Sequence, residues 1–217
     1  MDGVILESWK RREVVDTLDT HLVEVEISRS FYILSNSPAD IQWELRKLLL
    51  ANVTLSKVGK LLDKIRRLEV LDLSGNQLES ISEPEFIAFA PNLRVLRLGG
   101  NRLTKIDSKT FKGMNLLESL LLAGNRLKSM DYETQEEFPD DLLDKLPLLA
   151  TLDLSNNLFT YIPEKLVKRF SFNSQLKVFL KDNRYHCDWK VAALNNYMKQ
   201  NSQGSRCPAE VRYVRLY

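Results

Sequence analysis

The chain has 217 residues, 44% hydrophobic and 28% charged, a globular composition with enough apolar side chain for one continuous core or a short repeat array. Its 31 lysines and arginines are nearly matched by 29 aspartates and glutamates, a formal net charge of +2, so no overall field draws it to nucleic acid. No window approaches the roughly eighteen apolar residues of a membrane span, and the N-terminus MDGVILESWKRREVVDTLDT has no apolar run of signal-peptide length, which predicts a soluble chain without membrane insertion.

Residues 1–21 read as an N-terminal flank or cap. After them one pattern recurs. LVEVEISRSFY from Leu22 and LRKLLLANVTLSKV from Leu45 keep its apolar positions but have Ser30 and Val53 where later copies have asparagine. LEVLDLSGNQLESI from Leu68, LRVLRLGGNRLTKI from Leu93, LESLLLAGNRLKSM from Leu117 and LATLDLSNNLFTYI from Leu149 are four near-complete copies of L-x-x-L-x-L-x-x-N-x-L-x-x-I. QLKVFLKDNRY from Gln175 recovers the asparagine as Asn183. The starts are 23, 23, 25, 24, 32 and 26 residues apart, about seven repeats over 22–182.

In L-x-L, alternate side chains point to opposite faces of a strand. Leu71 and Leu73, Leu96 and Leu98, Leu120 and Leu122, and Leu152 and Leu154 therefore face a core, and the residue between each pair faces out. The outward row reads Glu26, Leu49, Asp72, Arg97, Leu121, Asp153 and Phe179. Arg97 is expected to form an ion network with Asp72 and Asp153, or a merely solvated pairing; Leu49, Leu121 and Phe179 are candidate anchors for a partner. Asn76, Asn101, Asn125, Asn157 and Asn183 carry both donor and acceptor on a short side chain, suited to loop backbone groups that burial would otherwise leave unpaired. Ten residues after an asparagine stand Phe86, Phe111 and Val167, read as a spine filling the convex side rather than a cofactor box. The pair Gly99–Gly100 is read as variable residues before Asn101.

Two segments depart from the pattern. DYETQEEFPDD, residues 131–141, accounts for the long spacing and is read as an acidic insertion, either a functional loop or a solubilising one. Lys57, Lys60, Lys64, Arg66 and Arg67 cluster with Asp63 alone among them, a patch for a glycosaminoglycan or a solvated convex face. Asn52-Val-Thr54 is an N-glycosylation acceptor on the edge after a strand.

The repeats resemble those of extracellular leucine-rich-repeat proteins, with a flavour of arthropod innate-immune and Toll-like ectodomains. The resemblance implies a leucine-rich-repeat solenoid of the α/β class, with a curved parallel sheet on its concave face and a helical C-terminal cap over 183–217. Such caps resemble N-P-W-x-C-D-C, a short helix, then two further cysteines. This chain offers Asn183, Arg184, Tyr185, His186, Cys187, Asp188 and Trp189, then Cys207 and Pro208. One cysteine of each pair is present, and the resemblance implies a single Cys187–Cys207 disulfide; the alternative is two buried thiols in a cytosolic protein. Between them Asp188 is placed to cap a helix carrying Val191, Leu194, Tyr197 and Met198 at helical spacing.

Chemistry has little to stand on. His21 and His186 lie in no metal-ligand spacing, there is no Gly-rich phosphate loop, and Asp140 and Asp141 have no visible partner base. The expectation is a non-enzymatic chain without cofactor or metal that binds a protein ligand through its concave face. It is expected to be extracellular, secreted or part of a receptor ectodomain, in innate immunity or cell-surface recognition. The competing expectation is an intracellular leucine-rich-repeat scaffold or regulatory subunit.

Overall fold

The computed structural model describes residues 24–26, 45–58, 62, 65–131, 136–186 and 192–201. Its strands in chain order are β1 (Glu24–Glu26), β2 (Lys47–Leu49), β3 (Val70–Asp72), β4 (Val95–Arg97), β5 (Ser119–Leu121), β6 (Met130–Asp131), β7 (Glu136–Glu137), β8 (Thr151–Asp153) and β9 (Lys177–Phe179). β6 and β7 pair antiparallel with each other, and the other seven form one parallel sheet in the order of the chain. Each of these seven belongs to one repeat, so the array is a leucine-rich-repeat solenoid, one coil per repeat.

In the parallel sheet, the middle residue of each strand from β2 onward is buried, and its two neighbours face out. Leu48, Leu71, Leu96, Leu120, Leu152 and Val178 thus form one inward column, and Leu50, Leu73, Leu98, Leu122, Leu154 and Leu180 form the next. The hydrogen-bond ladder runs on past the strands, from Leu73 N to Arg97 O (2.8 Å), Leu98 N to Leu121 O (2.8 Å) and Leu122 N to Asp153 O (2.8 Å).

The chain must then turn sharply toward the convex side, and each described coil from β2 onward does so at the same position, the coil of β2 having a second left-handed residue at Thr54. Asn52, Gly75, Gly100, Gly124, Asn156 and Asp182 all have φ between 51° and 68°. This is the left-handed region, open to glycine and tolerated by Asn and Asp. Gly100 is therefore not a variable residue: it holds the turn, and a side chain other than asparagine or aspartate there is strained by its Cβ.

Next in each coil stands the asparagine, and its carboxamide does the work of several backbone partners. Asn101 Nδ2 donates to Leu98 O in its own coil (2.9 Å) and to Leu73 O in the preceding one (2.9 Å), while Oδ1 accepts from Leu78 N (3.1 Å). Asn125 and Asn157 repeat the arrangement, and Asn183 does so with Leu180 O, Leu154 O and Phe159 N. Asn76 reaches back to Leu50 O (2.7 Å), Val53 N and Leu55 N. The coil around Val53, which lacks the asparagine, is thus served by its successor. At the other end, among the described residues, no further strand with its ladder asparagine follows Asn183. Instead the hydroxyl of Tyr185 donates to Leu180 O (3.0 Å), the bond that the next coil would supply. Burial raises the Tyr185 phenol well above its ordinary pKa, so it remains a donor.

The convex side is filled by Phe86, Phe111 and Val167, all buried, with Phe89 edge-on to Phe86 at 6.0 Å between ring centres. Short helical turns carry the first two; a one-turn helix α1 (Leu142–Lys145) follows the hairpin, and the longer helix α2 (Glu164–Phe172) carries Val167. After the last coil, α3 (Ala192–Gln200) buries Leu194, Tyr197 and Met198, with the Tyr197 ring 5.8 Å from that of Phe170 in α2. Asp188 and Val191, expected at the start of that helix, lie outside the described residues.

The acidic insertion is more than a solubilising loop. β6 and β7 make it a hairpin, and Phe138 behind it is buried edge-on to Phe159 at 5.0 Å. Ser129, at its root, is buried too; its Oγ accepts from Thr160 N and Tyr161 N (both 2.8 Å) and donates to Tyr161 O. Beyond Phe138, Asp140 pairs with Lys165 (3.1 Å) and Asp144 with Arg169, tying the insertion to α2. The Arg169 hydrogen bond holds the Asp144 carboxyl below its ordinary pKa, although both side chains remain partly open to solvent.

Replacing Asn125 with Ala leaves Leu98 O, Leu122 O and Leu103 N short of a partner, and we expect a loss of about 2–4 kcal/mol in urea unfolding from these buried groups. Tyr185→Phe removes one bond, from a carbonyl that keeps Asn183 as a partner, and should cost about 1 kcal/mol, with faster amide exchange confined to the last coil.

Candidate functional site: the concave sheet

The sheet aligns the predicted outward residues in register. Glu26 is opposite Leu49, then Asp72, Arg97, Leu121, Asp153 and Phe179 follow, one per strand. A parallel row precedes it: Lys47, Val70, Val95, Ser119, Thr151 and Lys177. Past the strands a third row consists mostly of small residues, Ala51, Ser74, Gly99, Ala123 and Ser155, and ends on the exposed Lys181. The concave face is therefore two rows of protruding side chains beside a shallow shelf.

Leu49 and Leu121 are half-buried between their neighbours, whereas Phe179 on the last strand is 45% exposed. Val70 and Val95 stand side by side in the first row, one strand over from Leu49 and Leu121, and extend the apolar surface across the middle strands. Sequence reasoning passed over these two valines because it read only the position between the paired leucines.

The predicted three-membered ion network is reduced to one pair. Arg97 Nη1 lies 3.5 Å from Asp72 Oδ2, but the strand carrying Leu121 stands between Arg97 and Asp153. Neighbouring strands are about 4.8 Å apart, so Asp153 is two spacings away. Each aspartate has a local partner: Asp72 Oδ1 accepts from Ser74 N (2.9 Å) and Asp153 Oδ1 from Ser155 N (2.9 Å), with both serine hydroxyls donating as well. The signal was the tripeptide Asp-Leu-Ser, which occurs in these two repeats at the same place.

Asn52 is exposed, as its sequon requires, and its carboxamide lies across Gly75, where an added Cβ would meet Oδ1 at 2.0 Å. Lys57, Arg66 and Arg67 are exposed, while Lys60 and Lys64 lie outside the described residues. So do His21, Cys187 and Cys207, and with them the predicted disulfide. His186 is exposed. Among the described residues, no three His, Cys, Asp or Glu side chains come together as a metal site, and no helix is long and apolar enough to cross a membrane.

Two family models, both described as leucine rich repeat, match residues 91–159 and 67–89. Among curated proteins the chain is similar to Tsukushi of Gallus gallus, 38% identical over 109 residues, covering 50% of this chain and 27% of that protein. Podocan-like protein 1 of Mus musculus is 32% identical over 121 residues, covering 56% and 19%. Leucine-rich repeat-containing protein 66 of Homo sapiens is 26% identical over 210 residues, covering 82% and 24%. The chain thus spans between 19% and 27% of the length of these relatives. Among solved structures, the crystal structure of a pollen receptor kinase 3 superposes with a TM-score of 0.54 at 26% identity, over 75% of this chain and 74% of that one.

Because the Arg97 side chain is 40% exposed, its attraction to Asp72 is screened by water. A double-mutant cycle of Arg97→Ala and Asp72→Ala should give a coupling below about 1 kcal/mol in folding stability. A larger value would make the pair a structural lock rather than part of an open surface.

Proposed function

Since the chain belongs to the leucine-rich-repeat proteins, with repeats of the extracellular type, we propose that it is a non-enzymatic recognition module that binds a protein ligand through its concave face. It works outside the cell, as a secreted protein or part of an ectodomain, in innate immunity or in recognition at cell surfaces. The observation that carries this reading is the row Leu49, Asp72, Arg97, Leu121, Asp153 and Phe179, held in register on a backbone whose polar groups are already satisfied. Side chains on so rigid a frame lose little freedom on binding, and that lowers the entropic cost of association. Leu49, Leu121 and Phe179 serve as apolar anchors, while Asp72, Arg97 and Asp153 set which partner is accepted. The relatives support an extracellular setting, as does the cap sequence with its proposed Cys187–Cys207 bond. A glycan on Asn52 would stand at the edge of the sheet, beside this face.

The test is expression behind a secretion leader in eukaryotic cells, followed by a screen against secreted and cell-surface proteins. A partner that binds the native chain should lose it with Leu121→Glu and Phe179→Glu, and keep it with Ile87→Ser, a change at a residue that is 60% exposed on the convex side. The secreted chain should show no free thiol after denaturation. Equal binding by the concave variants, or two free thiols with retention in the cell, would favour an intracellular scaffold that binds by another face.

A further inference from the structure

The two flanks of the solenoid treat charge in opposite ways. On the flank leading into the sheet, the residue before each of β2, β3, β4 and β5 alternates in sign, and Arg46 pairs with Glu69 and Arg94 with Glu118. On the flank leaving it, the residue after the asparagine is positive wherever it is charged, at Arg102, Arg126 and Arg184. Arg102 and Arg126 occupy the same place in adjacent coils, each with its backbone N–H bonded to the coil before, at Leu78 O (2.8 Å) and Leu103 O (2.9 Å). Lys128 follows two residues on, Lys105 stands beside it, and Arg184 holds the equivalent place at the end of the array; all are exposed. Within the described turns, residues 54–58, 77–81, 102–106, 126–129, 158–162 and 184–186, Glu79 is the one acid.

Adjacent coils are about 4.8 Å apart, a separation at which like charges repel unless something neutralises them. Among the described residues Arg102, Arg126 and Lys128 have no acidic partner, although exposed cations elsewhere on the chain, Lys112, Lys165 and Lys168, each have one. Beside the stack a cleft of about 620 Å³ opens toward the convex side; its wall includes Lys105, Lys109 and Lys128, the hydroxyl-bearing Ser82, Thr104 and Ser108, and two acids, Glu83, which pairs with Lys112, and Asp107, whose carboxylate accepts from Lys109 N. We infer that this flank is a second binding surface, distinct from the concave face, and that it takes a sulfated polysaccharide. A polyanion that crosses the two middle coils meets Arg102 and then Arg126 with Lys128, and the serine and threonine hydroxyls suit the hydroxyls of a sugar. A nucleic acid fits less well, because the turns from residue 54 to residue 129 offer no aromatic side chain on which a base could stack.

The experiment is chromatography of the full chain on immobilised heparin, with calorimetric titration of a heparin hexasaccharide. The native protein should bind at physiological salt, and Arg102→Ser/Arg126→Ser/Lys128→Ser should weaken the dissociation constant by roughly tenfold or more, with a shallower dependence on salt. Lys145→Ser/Lys165→Ser/Lys168→Ser removes the same net charge from side chains that already have acidic partners and should bind as the native chain does. Circular dichroism establishes that both variants fold. Absence of binding, an equal loss in the two variants, or displacement by polyglutamate as effective as that by the hexasaccharide would each overturn the assignment.

Discussion

The fold depends on one side chain repeated in place. A coil that turns out of a three-residue strand buries carbonyls and amides that no strand partner reaches, and leaving even one unpaired costs about 1–3 kcal/mol. The carboxamide of asparagine reaches three or more of them at once because it offers two donors and an acceptor on a single methylene. Aspartate has no donor to reach the carbonyls, and glutamine is a methylene too long. The left-handed turn before each asparagine delivers it to the same depth in every coil, so the ladder and the turn are two parts of one device.

With that interior fixed, the rest of each coil is free to vary, and it does so most on the convex side. Short helical turns, a hairpin and a nine-residue helix all span the same gap between strands, provided that one large apolar side chain falls into the spine. Phe138 shows the rule at work. The long repeat tolerates its insertion because that ring packs on Phe159 and the following acids find Lys165 and Arg169. The irregularity lies on the convex side, and the strands carrying Leu121 and Asp153 still pair directly.

Much of this was legible in the sequence because the pattern states it repeatedly. The register of the outward row, the inward leucines, the buried asparagines and the phenylalanine spine all follow from spacing alone. What was not legible came from relations between coils. The reach of Arg97 toward Asp153 was misjudged because sequence order within a row says nothing of the strand that intervenes. Gly100 looked variable because glycine, asparagine and aspartate share no obvious chemistry; what they share is tolerance of a left-handed backbone. The insertion read as a loop because its charges dominate its composition, while the one residue that docks it, Phe138, stands alone among them. Its root, Ser129, gave no signal at all, since a serine in a turn is ordinary until its hydroxyl is found buried against the next coil.

The reach of the asparagines also gives the molecule a direction. Each carboxamide completes its own coil and the one before it, never the one after, so every coil is finished by its successor. The two ends of the array are therefore not equivalent. A coil at the N-terminal side can lose its asparagine, as the one around Val53 has, and remain satisfied. Among the described residues the coil at the C-terminal side has no successor strand, and the hydroxyl of Tyr185 takes its place. An array of this kind is open to lengthening or shortening at its beginning, where nothing upstream is needed to close the ladder, while at its end any change must carry the closing residue with it.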